Sequence, residues 1–270
     1  MTITKTISVV ASCARIFATV CIFIYHGLGQ LGLNNHGLDF IAILIFCFLS
    51  GYLHYGNEVQ PLEWFYKRVF SIMLPYWFVI VPAVTINRMV LYKGTSVVED
   101  LITVFGGNLF LKNPVYVIGW YITFILILYL ILFAILLLKR NKILQFMTFI
   151  FCIFYFGIKF NMLLYCVSFI FGYILTQLFP LSKKELSENG YIGKLLFALQ
   201  SRCYAFFLIH GGVLIFLTHY SKFNSVNFFL VGAVVSCIGA EILYRVTKPL
   251  IPKAVNTALN LKTMLLRSIA

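Results

Sequence analysis

The stretch ISVVASCARIFATVCIFIYHGLGQL, from Ile7 to Leu31, decides the fold. It is long enough to cross a bilayer core, which takes about 20 apolar residues in a helix. Yet it carries Arg15 and His26 in its interior. Eleven positions at about 100° per residue return both side chains to one stripe, about 16 Å apart along the axis. An ionisable group at bilayer depth costs about 2.5 to 3.5 kcal/mol on insertion scales, so two on one stripe read as functional. The plainer readings are a snorkelling Arg15, within reach of headgroups from a helix that enters at Ile7, and an interfacial His26 bonded to a carbonyl.

The rest of the chain is of the same kind. Of 270 residues, 61% are hydrophobic and only 11% charged, with a mean hydropathy of +0.96; soluble proteins are about a quarter charged. This predicts an all-α polytopic membrane bundle of about 8–10 helices, one transmembrane domain over residues 1–270 with no room for a separate soluble one. Apolar segments run near 7–31, 38–56, 69–92, 116–138, 143–158, 161–180, 195–219 and 226–247. The stretch 97–111 is shorter and broken by Gly106 and Gly107, which suits a re-entrant or interfacial helix or a short extra span. Lys5 precedes the first segment as in a secretory signal. Its length and the lack of a small-x-small cleavage site predict a retained helix.

Basic residues set the expected orientation. With both termini cytoplasmic, the inner side holds Lys5, Lys67, Arg68, Lys139, Arg140, Lys142, Lys183, Lys184, Lys194, Lys248, Lys253, Lys262 and Arg267. The outer side holds Lys93, Lys112, Lys159 and Lys222. That asymmetry accounts for much of the +13 net charge, so the expected partners are anionic membrane lipids and not nucleic acid. The seven cysteines are scattered singly through apolar stretches, without CxxC or metal-ligand spacing, and read as small packed hydrophobes. No P-loop, dinucleotide fingerprint, Gly-x-Ser-x-Gly elbow or internal repeat is present. The acidic residues Glu99, Asp100, Glu185 and Glu188 read as solvated loop charges.

Further constellations follow the first helix in order. They are Asp39, then Phe46-Cys47-Phe48-Leu49-Ser50-Gly51-Tyr52-Leu53, then Tyr66-Lys67-Arg68 leading through Leu74-Pro75-Tyr76-Trp77. Next come Gly119-Trp120-Tyr121 with Tyr129, and last Cys203-Tyr204-Ala205-Phe206-Phe207-Leu208-Ile209-His210. The set resembles the bacterial transmembrane O-acyltransferases of acyltransferase family 3. Their pattern is an Arg and a His in the first helix, a Phe-Leu-Ser-Gly-Tyr-like second helix, a basic cluster before Pro-Tyr, a Trp-led middle helix and a Tyr-Leu-Ile-His-like late helix. The chain is shorter than the ten-helix members. It departs from the pattern at Ser71, where many relatives carry a second Arg, and at Thr247, near which relatives often carry a Glu.

The resemblance implies transfer of an acyl group, commonly acetyl, from acyl-CoA to a hydroxyl of a cell-surface or lipid-linked glycan such as O-antigen or exopolysaccharide. It implies a multi-pass protein of the bacterial cytoplasmic membrane, with acyl-CoA as co-substrate, no tightly bound cofactor and no metal. A sugar hydroxyl is a poor nucleophile at neutral pH, and a histidine is the natural general base for it. His26 takes that catalytic role. Arg15 and Arg68 suit the donor's phosphates because a guanidinium presents a planar fork of donors, with Lys67 adding a point charge. Asp39, Ser50, Trp120, Tyr204 and His210 are candidate site-lining residues. All but Tyr204 have a structural alternative: a helix N-terminal charge for Asp39, close helix packing at Ser50-Gly51, an aromatic belt at Trp120 and Tyr121, and a buried bonded histidine for His210. Glu241 and Arg245, four apart, suit an intrahelical ion pair. Another class of function fits the same buried Arg and His, a polysaccharide transporter or flippase. A repeated half and paired broken helices, which would support it, are not evident.

Overall fold

The computed structural model of the chain describes residues 3–35, 37–52, 60–91, 95–112, 116–137, 142–178, 190–220 and 223–269. Leu53, Lys93, Lys139, Arg140, Lys183, Lys184, Glu185, Glu188 and Lys222 lie outside them. Among the described residues there are ten α-helices and no strand: α1 (Ile3–Gln30), α2 (Leu38–Tyr52), α3 (Pro61–Ile86), α4 (Val97–Val104), α5 (Trp120–Leu137), α6 (Lys142–Lys159), α7 (Leu163–Leu178), α8 (Gly190–Tyr220), α9 (Ser225–Thr247) and α10 (Leu250–Ile269). Five stretches are long and apolar enough to cross a membrane, Val9–Gln30, Pro61–Met89, Trp120–Leu137, Gly193–Tyr220 and Ser225–Lys262. Three apolar helices are shorter, Leu38–Tyr52, Phe146–Lys159 and Leu163–Thr176. The chain is an all-α polytopic membrane protein.

Three features differ from the hydropathy reading. Helix α3 begins at Pro61 and not near residue 69, because Pro61 sits in the first turn and Glu63 meets the positive helix end. Lys67 and Arg68 therefore lie inside the helix. The stretch 97–111 contains the eight-residue α4, about 12 Å long, and a 3-10 turn at Asn108–Phe110, too short for the extra span and compatible with an interfacial or re-entrant helix. Beyond the last apolar run stands α10, an amphipathic helix with Val255 buried and Lys253, Asn256, Asn260 and Lys262 exposed. Its apolar positions are too sparse for a hydropathy window to register.

The described residues form two compact units. The first holds α1, α2, α6 from Ile150, α7, α8 and α9 as far as Glu241. Within it α2 and α7 cross at two glycines. A Cβ at Gly51 would overlap the Phe169 carbonyl oxygen, and a Cβ at Gly172 would overlap that of Phe48. Helices brought this close gain side-chain hydrogen bonds: Ser168 Oγ donates to the Leu44 carbonyl at 2.8 Å, and Thr176 Oγ1 donates to that of Tyr52. Small residues at the crossing and hydroxyls as bridges are the usual solution in lipid, where apolar burial distinguishes little. Helix α1 runs alongside α8, and Phe23, Leu214, Leu217 and Phe228 close the core between α1, α8 and α9. Glu241, read from its spacing as a partner of Arg245, is held across helices by Arg202, with Nε donating to Oε2 at 2.7 Å and Nη2 to Oε1 at 3.3 Å.

The second unit holds α3, α4, α5, the start of α6, the end of α9 and α10, with α10 packed on α3. Here the Pro-Tyr-Trp motif has a structural use. Tyr76 Oη donates to the Thr103 carbonyl at 2.5 Å and accepts from Asn108 Nδ2 at 2.8 Å, and Trp77 Nε1 donates to the Val104 carbonyl at 3.0 Å. Those carbonyls end α4 and have no partner within their own helix. The chain then turns at Gly106, with φ +77°, whose carbonyl accepts from Thr123 Oγ1 of α5. At the other end Ser96 and Glu99 form a capping box, and Arg88 Nε meets Asp100 Oδ2 at 3.2 Å. Asp100, read as a solvated charge, is buried at 6% exposure, with Thr95 Oγ1 donating to its other oxygen at 2.9 Å.

Candidate active site

In the first unit, α1 and α8 bring His26 and His210 together. Their ring centroids lie 5.3 Å apart at an interplanar angle of 42°. His26 is half-buried, whereas His210 is fully buried, walled by Phe206 in a stacked arrangement at 5.9 Å and by Phe23 and Phe207. His210 Nδ1 lies 3.1 Å from the Phe206 carbonyl oxygen one turn back on α8. Asp39, in the first turn of α2, acts on His26 through its charge. Its carboxylate also engages the Tyr25 hydroxyl, which Asn35 contacts as well. An imidazole that takes a proton becomes a cation, and a nearby carboxylate stabilises that cation. Half-burial of the ring opposes that cation, and the Asp39 carboxylate offsets part of the cost when the ring accepts a proton from a hydroxyl.

The other candidates of this unit stand elsewhere. Arg15 is half-buried about 16 Å along α1 from His26, where Cys203 of α8 feels its charge and the Arg15 carbonyl accepts from Thr19 Oγ1 at 2.8 Å. Ser50 lies at the opposite end of α2 from Asp39, about 16 Å along the helix, next to the Gly51 crossing. Tyr204 is half-buried, stacks on Phe207 at 6.4 Å, and precedes His210 by about 9 Å of helix. Tyr25 and Asn35 escape sequence reading, because polar residues at a span's end are ordinary and only the packing with α2 gives them Asp39.

The second unit holds Lys67, Arg68 and Trp120. Arg68 Cζ stands 5.7 Å from the centre of the Tyr129 ring, and Trp64 meets the same ring edge-on at 5.7 Å. A guanidinium over an aromatic face has its plane oriented by the ring. Lys67 is exposed and paired with Glu63, one turn earlier. Ser71, at the position of an expected arginine, donates its hydroxyl to the Arg68 carbonyl at 2.8 Å and so stays on its own helix. Trp120 opens α5 half-buried, edge-on to Tyr121 at 6.1 Å.

Compared with known families, the sequence matches the acyltransferase-3 family, described as an acyltransferase domain, over residues 12–198. That is more than half of the chain. The chain belongs to the acyltransferase-3 family. No curated protein and no solved structure matches it. As a member of the acyltransferase-3 family it is a membrane acyltransferase, and the match includes Arg15, His26, Asp39, Ser50, Lys67, Arg68 and Trp120. It ends before Tyr204 and His210, so the residue facing His26 in this acyltransferase comes from the part of the chain beyond the match.

Proposed function

We propose that the protein is a multi-pass O-acyltransferase of the bacterial cytoplasmic membrane. It moves an acyl group, commonly acetyl, from acyl-CoA to a hydroxyl of a cell-surface or lipid-linked glycan such as O-antigen or exopolysaccharide. The observation that carries this reading is His26, half-buried in the field of Asp39 and beside His210, in a chain of an acyltransferase family. His26 is the general base. It takes the proton of the acceptor hydroxyl as the oxygen attacks the thioester carbonyl, the carbon–sulfur bond breaks, and the CoA thiolate leaves. Asp39 stabilises the imidazolium through that step. With both termini cytoplasmic, Arg15 lies towards the donor side and His26 towards the acceptor side.

Arg15 and Arg68 are donor-binding residues in this proposal, each suited to phosphate by its planar fork of N–H groups. Lys67 adds charge near Arg68, tempered by Glu63. Arg68→Lys keeps the charge but loses the fork and its seat on Tyr129, so we expect KM for acyl-CoA to rise about tenfold with kcat within about threefold. Steady-state kinetics of the purified protein with varied acyl-CoA reads this directly, and an unchanged KM would remove Arg68 from the donor site. The function itself is tested by mass spectrometry of surface glycans from cells with and without the gene. An added acyl mass that depends on the gene supports the transferase. Unmodified glycans whose amount at the surface falls on deletion would favour the transporter reading and overturn this one.

A further inference from the structure

The pair of histidines has a polarity that the acyl-transfer reading does not use. A carbonyl oxygen only accepts, so the 3.1 Å approach of His210 Nδ1 to the Phe206 carbonyl puts the ring proton on Nδ1. Nε2 is then a bare lone pair. His210 is 0% exposed, and Nε2 has no hydrogen-bond partner among the described residues. An acceptor buried without a donor is unfavourable, so native structures supply one. Three of the rings against His210, those of Phe23, Phe206 and Phe207, have no N–H or O–H to offer. The fourth is His26.

The separation suits a bond between them. An N–H···N bond about 2.9 Å long between two imidazole edges puts the ring centres about 5 Å apart, and these stand at 5.3 Å. The second side-chain torsion of histidine is broad, so turning the His26 ring into line is a small change. We propose that His210 is a positioning residue for His26: its Nε2 accepts the N–H of one His26 ring nitrogen and leaves the other nitrogen bare, aimed as the base. This rests on the reading of His26 as general base. The tautomer of a histidine is set by the bond that its other nitrogen makes, so Phe206 fixes His210 and His210 fixes His26. The chain of three groups gives a reason for the complete burial of a polar ring in α8.

The test uses the full-length protein in detergent with its histidines labelled with nitrogen-15. In the wild type the two ring nitrogens of His26 give separate signals, one protonated and one bare. His210→Phe keeps the ring's bulk and removes the acceptor, and we expect the two signals to move towards each other as the tautomers mix. In acyl transfer the same variant loses about 10- to 100-fold in kcat, with KM for donor and acceptor within twofold. His210→Gln, whose amide oxygen can stand near the Nε2 position, recovers most of that loss. His210→Met repeats the test with a flexible apolar side chain where the aromatic variant does not insert. His26 signals that ignore both apolar variants overturn the proposal, as does a change confined to KM. A wild-type protein that transfers no acyl group while these signals still respond would sink the acyltransferase reading and leave the pairing in place.

Discussion

Replacement of His26 by alanine is expected to remove acyl transfer while the protein remains inserted and folded. General-base catalysis contributes about 10²- to 10⁴-fold, and a sugar hydroxyl attacking a thioester has no comparable internal base at neutral pH. The loss falls in kcat, because the proton moves only in the transition state. His26→Gln keeps a polar side chain of similar reach without a proton acceptor of useful basicity, so it should be as inactive as the alanine variant. Glycan mass spectrometry on cells carrying each variant, alongside kcat on purified protein, gives the answer. Retention of more than about a tenth of wild-type kcat in both variants would exclude His26 as the base. Folding is not at stake in this comparison. The His26 ring is only half-buried, and the core beside it is built from Phe23, Leu214, Leu217 and Phe228.

The second large effect concerns stability. Gly172→Val in α7 is expected to destabilise the protein by about 3 kcal/mol or more, the upper end of what overpacking costs. Its Cβ would overlap the Phe48 carbonyl oxygen and crowd the Tyr52 amide nitrogen. Both are backbone atoms, so no rotamer change relieves the clash and α2 and α7 must separate. Separation also breaks the bonds from Ser168 to the Leu44 carbonyl and from Thr176 to that of Tyr52, which average about 0.6 kcal/mol each in membrane bundles. Gly51→Val should behave alike, since its Cβ meets the Phe169 carbonyl oxygen. Gly193→Ala is the control. It opens onto free space in α8 and should be neutral or stabilising by about 0.5 to 1 kcal/mol. Thermal unfolding in detergent compares the three, and a Gly172→Val protein that melts with the wild type would show that the crossing is looser than its geometry.

The helices were largely legible because hydropathy is local. A run of apolar residues about 20 long means the same thing whatever packs on it, so the eight expected segments correspond to the five long and three shorter apolar helices. Local periodicity likewise put Arg15 and His26 on one stripe of α1. The same locality failed at the ends of elements. Lys67 and Arg68 belong to α3 because of Pro61 and Glu63 before them, and α10 escaped because its apolar face is a narrow stripe.

Partnership is a different kind of information. Glu241 and Arg245 are four apart and suit a pair within α9, and the tertiary structure adds Arg202, whose guanidinium reaches across from α8 to make two bonds to the same carboxylate. The Pro-Tyr-Trp triplet read as a family mark, and its hydroxyl and indole N–H satisfy the end of α4. The sequence alone therefore determined a membrane bundle with an ionisable stripe on its first helix, because transfer energy and helical period depend on nearby residues only. The tertiary structure alone decided that His26 looks at His210 and feels Asp39. Those three residues come from three helices, and only the close packing of α1 with α2 and α8 brings their charges and lone pairs within range.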